Sequence, residues 1–250
     1  MKSTEITNKI WQPLNECLIF ASIDSTMNYA QTRNWSGFNL VLAEKQTQGK
    51  GQHGHSFMSP ATGIYETIIL PVTERFLQQP GMLTLGIGVC VRQAIQNVLG
   101  VNTQLKWVND LYLNAKKCGG ILVEVQSNPQ NEPENFVLGI GLNLVNNSKL
   151  AEVQATSLSD NDDLKEDLIA EIYNLIVAMY QNPDQEKIVT EYENHLIWKN
   201  QVVSVLVAGK LITGKIVGLT SDFRLILVDR DNKYYRLTTD QSQHLRIKTD

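Results

Sequence analysis

The chain has 250 residues, 42% of them hydrophobic and 19% charged, and a net charge of −4. That length suits one large unit plus a small one around a substantial core, and the composition excludes disordered and fibrous classes. The negative balance gives no basic footprint for nucleic acid or an anionic membrane, and the three widely spaced cysteines, Cys17, Cys90 and Cys118, fit a reduced protein whose thiols are incidental.

The first fifteen or so residues are polar and carry no apolar signal core, and no stretch approaches the ~20 apolar residues that span a bilayer, so a cytoplasmic protein is expected. A first strand is predicted over Cys17–Ile23. Asp24-Ser25-Thr26 then forms a helix N-cap cluster ahead of MNYAQTRNW. The apolar run from Phe38 leads through Lys45 into a loop, Gln46 to Phe57, that carries Gly49, Gly51 and Gly54 among small and polar residues. Glycines so spaced let backbone N–H groups approach an anion, a phosphate or a carboxylate. The spacing is neither that of a dinucleotide fingerprint nor that of a P-loop. His53 and His55 within it lack a third ligand and read as loop residues, so no metal site is expected.

GIYETIILP, Gly63 to Pro71, reads as a strand rich in β-branched and aromatic residues. Met82 to Leu99 places Leu85, Val89, Ile95 and Val98 at helical spacing, closed by Gly100. A strand over Thr103–Trp107 leads into the polar pair Asn109 and Asp110. LYL and GGILVEV then form a hairpin around Asn114-Ala115-Lys116-Lys117, with one lysine inward and the other in solvent. After the polar loop SNPQNEPE comes the strand Val137–Asn143, ending in Gly139, Gly141 and an amide. A further polar connection precedes an amphipathic helix, Asp163 to Tyr180, and a second helix is predicted over Glu186–Trp198 beyond Pro183. From about Lys199 short alternating strands with breaks at Ala208-Gly209, Thr220-Ser221 and Asp231-Asn232 suit a small β-barrel of roughly 50 residues. The fold class is therefore α+β, a mixed sheet with helices over 1–198 and a β-barrel over 199–250.

GKGQHGHSFMSP, KWVNDLYLNAKKCGGILVE and GIGLN, in this order, together with IDSTMNYA upstream, resemble the glycine-rich loop, the Lys-Trp-Pro-Asn-Asp hairpin, the Gly-x-Gly-x-Asn strand and the Ser-Thr turn of biotin protein ligases. The resemblance covers nearly the whole chain and extends to an SH3-like C-terminal domain. It implies ATP-dependent formation of biotinyl-5′-AMP with Mg²⁺ and transfer of biotin to a lysine of a biotin carboxyl carrier protein, by the ligase-only form without an N-terminal DNA-binding domain. A homodimer, with no nucleic-acid or membrane partner, goes with it. Lys117 matches the family lysine on the biotin carboxylate and phosphate, with Lys50 as the second catalytic candidate. Ser25, Thr26, Met27, Gln46, Gly51, Gln52, Tyr65, Gly120, Gly139 and Gly141 match positions around biotin. Gln52, His55, Phe57, Asn109 and Asn143 match the adenylate side. Asp110 is expected to fix the turn or a subunit interface, and Lys106 is a further candidate cation.

Three departures stand out. Met27 occupies the family's asparagine position, Val108 its proline, and Lys50, Gln52, His53 and His55 stand where family loops commonly carry arginines. Neither glutamine nor neutral histidine replaces arginine's bidentate grip on phosphate. Two other readings share these residues: a lipoate or octanoate enzyme on the same scaffold, and a biotin-binding module without catalysis.

Overall fold

The computed structural model describes residues 1–146, 155–240 and 242–247, with backbone alone at 53 and 242–244. Residues 147–154 of the polar connection predicted after Asn143 lie outside them.

A short helix α1 (Ser3–Thr7) precedes β1 (Glu16–Phe20), α2 (Thr26–Gln31) and β2 (Asn39–Ala43). The glycine-rich loop follows, then β3 (Ile64–Pro71), α3 (Glu74–Gln78), α4 (Pro80–Leu99), β4 (Gln104–Lys106), β5 (Asp110–Leu113), β6 (Lys116–Ser127) and β7 (Pro133–Leu142). These seven strands form one sheet in the order β1-β2-β3-β7-β6-β5-β4. Only β1 and β2 run parallel; the other neighbours are antiparallel.

Period-two alternation decides which residues meet the helices. Leu40, Leu42, Ile64, Ile68, Leu138, Ile140 and Leu142 join the main core beneath α4 and α5 (Lys165–Gln181). Val41, Ile69 and Val137 point the other way and pack under Met27, Ala30 and Trp35 of the α2 segment. Covered on both faces, β3 is buried from Ile64 to Leu70, the polar Glu66 and Thr67 included.

α4 ends where the chain predicts, at Gly100, whose φ of +68 is the left-handed cap a glycine adopts without strain. This helix also corrects the absence of any membrane-length segment in the sequence reading: by length and composition it could cross a membrane. Yet 61% of its apolar window is buried inside the protein, as a core helix requires. The β5–β6 turn is tighter than predicted. Asn114 and Ala115 alone form it, with φ of 50 and 61, so Lys116 and Lys117 already belong to β6. Lys116 is exposed and Lys117 half-buried.

The helix predicted over Glu186–Trp198 stops at Asn194 (α6, Gln185–Asn194). The next residues pair instead with the outer edge of β4: Leu105 N–H donates to His195 C=O at 2.8 Å and Ile197 N–H to Leu105 C=O at 2.9 Å. Satisfying an otherwise open sheet edge outweighs extending a helix by one turn.

Beyond it, β8 (Val202–Val207), β9 (Lys210–Leu219), β10 (Leu225–Val228), β11 (Tyr234–Leu237) and β12 (Ser242–Ile247) form a second antiparallel sheet, ordered β11-β10-β9-β8-β12. The strands match the predicted ones, but β11 and β12 remain its two edges, so the expected barrel is an open five-stranded sheet.

Candidate active site

Three segments far apart in sequence converge on one face of the large sheet, the face away from α4. They are the N-terminus of α2, the glycine-rich loop, and the middle of β6 and β7. The cavity between them is lined by Ser25, Thr26, Met27, Gln46, Lys50, Gly51, Gln52, Phe57, Asn109, Lys117, Gly120, Gly139 and Gly141, with Glu66, Ile121, Leu122 and Ile140.

The floor depends on missing side chains. A Cβ on Gly139 would lie 2.7 Å from Met27 Sδ, and one on Gly141 2.7 Å from the Phe57 ring. Any larger residue at either place would push the side chain above it out of position. Met27, 4% exposed, thus fills the space over Gly139 as an apolar wall.

One end is a satisfied polar network. Ser25 caps α2, its Oγ accepting from Asn28 N–H at 3.4 Å. Gln46 Oε1 accepts from both the N–H and the hydroxyl of Thr26, at 2.9 and 3.1 Å, and Gln46 Nε2 donates to Ser59 Oγ at 2.9 Å. Thr67 of β3 donates its hydroxyl to Thr26 Oγ1 at 2.8 Å, and Ser59 donates to Phe57 C=O at 2.9 Å. A buried network with every member bonded holds one geometry. Sequence reasoning missed Thr67 and Ser59; a threonine amid the apolar β3 run was the available signal.

The opposite end is ionic. Lys117 Nζ lies 2.5 Å from Asp110 Oδ1, and the other oxygen of Asp110 accepts from Lys106 Nζ at 3.5 Å. One carboxylate thus faces two lysines, leaving net positive charge beside the glycine floor. Lys106 is turned away between the rings of Tyr112 and Trp198, at 5.4 and 5.6 Å from their centroids, and does not line the cavity. Burial, then the Asp110 charge, pushes the Tyr112 phenol up, with Lys117 and Arg246 opposing. Lys50 reaches the cavity from the loop while pairing with Glu124 at 3.3 Å.

Three predicted site residues fall elsewhere. Tyr65 is 2% exposed and donates its hydroxyl to Pro60 C=O at 2.7 Å, so it packs edge-on behind Phe57 rather than walling the cavity. The strand alternation that aims it at this face leaves it one layer too deep. Asn143 is spent on structure, its amide donating to Thr156 C=O at 3.3 Å. His55 sits on the exposed side of the loop. Asn109 does line the cavity while its Nδ2 braces the turn by donating to Ile121 C=O at 2.8 Å. The Trp107–Val108 peptide preceding it, where the family pattern has proline, is cis.

The cysteines offer no nucleophile: burial pushes the Cys17 thiol up to about 11 and those of Cys90 and Cys118 up to about 12. Among the described residues no three His, Cys, Asp or Glu side chains cluster as a metal cage.

A sequence model of the biotin/lipoate A/B protein ligase family matches residues 19–143, half of the chain. The chain is 30% identical over 199 residues to the bifunctional ligase/repressor of Bacillus spizizenii, covering 75% of this chain and 58% of that one. It is 32% identical over 161 residues to the biotin--[acetyl-CoA-carboxylase] ligase of Mycobacterium tuberculosis, covering 60% and 56%. It therefore spans less than two thirds of the length of these relatives. Among solved structures, the biotin protein ligase of Aquifex aeolicus in complex with biotin and ATP superposes with a TM-score of 0.81 at 21% identity, over 94% of this chain and all of that one. At that identity the likeness speaks for the fold.

Proposed function

The chain belongs to the biotin/lipoate A/B protein ligase family, and on that premise we propose that it activates biotin with ATP and transfers it to a lysine of a biotin carboxyl carrier protein. The observation that carries this reading is the convergence of Lys117, the glycine-rich loop and the Gly139–Gly141 floor on one cavity. The names of the similar proteins, biotin ligases acting with acetyl-CoA carboxylase, support it.

A carboxylate is a poor electrophile, so an amide cannot form until its oxygen carries a leaving group. In the first step a biotin carboxylate oxygen attacks the α-phosphorus of ATP, the bond to the β-phosphate oxygen breaks, and pyrophosphate departs. In the second, the amine of the carrier lysine attacks the biotinyl carbonyl, AMP leaves, and the amine's surplus proton passes to a base. Two anions must meet in the first step, and the wall around Lys117 answers that need. Its ammonium is already held against a carboxylate, Asp110, in the geometry that a biotin carboxylate or a phosphate oxygen would take over. Lys50 approaches the same space from the loop. The Thr26–Gln46–Ser59 network presents preset donors and acceptors to the polar ring of biotin. Mg²⁺ fits as an ion carried in on the phosphates, since the described residues form no dedicated cage. Division into a catalytic unit over 1–198 and a C-terminal unit over 199–250, a cytoplasmic setting and a homodimer belong to the same reading.

The test is exchange of labelled pyrophosphate into ATP with biotin, lipoate or octanoate as the acid. Exchange with biotin alone is the expected result; exchange with lipoate or octanoate alone would move the chain to the other branch of its family, and none with any acid would leave a binding module. The loop chemistry adds a second expectation. Gln52 lines the cavity where a cationic fork would grip the adenylate, so Gln52→Arg should slow the dissociation of biotinyl-5′-AMP by about tenfold, the worth of one charge-assisted contact. An unchanged off-rate in a rapid-dilution assay would sink that idea.

A further inference from the structure

We infer that Glu124 is a positioning residue for the glycine-rich loop, standing in for the ligand's anion and holding Lys50 at the cavity until biotin and ATP arrive; the inference rests on the biotin-activating reading above. One face of β6 alternates Gly120, Leu122, Glu124 and Gln126. Gly120 and Leu122 line the cavity. Gln126 grips the end of α2, its Nε2 lying 2.8 to 3.2 Å from the carbonyls of Ala30, Gln31 and Arg33. Glu124 sits between these duties and shares both. Its two oxygens accept from Lys50 Nζ at 3.3 and 3.4 Å, and Oε2 also accepts from Gln31 Nε2 at 3.1 Å. Gln31 ends the helix that begins with Thr26 at the cavity. One carboxylate therefore ties the loop to the sheet and to the helix beside the polar network.

The loop moves with Lys50 because it is folded on itself. Gly51 N–H donates to His55 C=O and Phe57 N–H to Gly49 C=O, both at 2.7 Å, and Lys50 bridges to Ser56. Fixing Lys50 thus fixes Phe57 over Gly141. The pair is also exchangeable: its side chains are 39% and 31% exposed, so water screens it and little is lost when Lys50 turns to a new anion. A phosphate group carrying more charge than one carboxylate wins that competition by Coulomb attraction.

Amide hydrogen exchange over residues 47–58 tests this. In ligand-free protein, Glu124→Gln and Lys50→Gln should each raise loop exchange about threefold, the factor expected of a half-exposed ion pair. The double variant should go no further than either single one, and the β7 segment 137–142 should be unaffected. Glutamine at 124 can still accept from Gln31, so the helix contact survives. With saturating biotin and ATP the difference between Glu124→Gln and the parent should vanish. Unchanged loop exchange in Glu124→Gln, additive effects in the double variant, or a difference that persists with ligands would each overturn the inference. The ligand-free measurement involves neither biotin nor ATP. Its failure is therefore distinct from an absence of pyrophosphate exchange, which overturns the activity reading instead.

Discussion

Replacing Lys117 by alanine is expected to lower the rate of biotin-dependent pyrophosphate exchange by about 10²–10³-fold, the usual loss when one preset donor to a developing charge is removed. Lys117 is the side chain that projects from β6 beside the glycine floor, with its ammonium on Asp110. Truncation leaves Asp110 with Lys106 as a partner, so no buried charge is abandoned. Stability should therefore stay within about 1 kcal/mol, as for other partly exposed ion pairs. Measuring exchange beside a thermal melt separates the two effects. A loss under about tenfold with an unchanged melt would hand the principal role to Lys50. Lys117→Arg should recover only part of the rate, because a planar guanidinium cannot place its charge where a compact ammonium does.

The largest effect on stability is expected at Glu66. Its carboxyl is fully buried in the main core, flanked across the sheet by Leu42 and Ile140, and among the described residues neither oxygen has a hydrogen-bond partner. Alternation along β3 turns it away from the site, toward the helices, although Glu66 is among the residues that line the cavity. Burial holds its pKa well above the ordinary carboxylate value of 4.5, so the folded protein keeps it protonated where the unfolded chain has ionised it. A group raised in the folded state contributes fully below the unfolded pKa and loses that contribution as pH climbs toward the folded one. Stability should thus fall from about pH 4.5 upward, by as much as ~1.4 kcal/mol per unit from this residue. Glu66→Leu removes both the pH dependence and the unpaired group. Near pH 5 the variant should already gain about 1–3 kcal/mol in denaturant unfolding, and the gain should widen as pH rises. Parallel pH profiles for parent and variant would show instead that the carboxyl finds compensation.

Much of this arrangement is legible in the order of residues. Glycines at 49, 51, 139 and 141, the Asn109-Asp110 turn, the N-cap at Ser25 and the period of each strand depend on neighbours a few positions away, so local chemistry states them directly. The choice of Lys117 over Lys116 is not legible in this way and rests on the resemblance. Strict alternation from Gly120 and Leu122 would put Lys116 on the floor's face, and it is the register shift opposite Leu111 and Tyr112, passing over Cys118, that brings Lys117 there.

What only the tertiary structure decided is which polar groups face a ligand and which are consumed by the fold. Asn143 and Tyr65 carry suitable side chains on suitable strands, yet both are taken by backbone carbonyls, of Thr156 and Pro60, whose approach no local pattern announces. Glu124 is 74 residues from Lys50 and Gln126 is 95 from Gln31, so their roles appear only when β6 lies beside the loop and the end of α2. The closing of α6 at Asn194 and the open C-terminal sheet have the same origin: an unpaired strand edge at β4 takes the residues after the helix, and β11 and β12 find no partner in each other. The sequence by itself determined the elements and the chemical types at the site, because propensity, turns and spacing act over a few residues. Pairing between distant backbone and side-chain groups, which fixes the direction of each lone pair and each charge, exists only after the sheet has assembled.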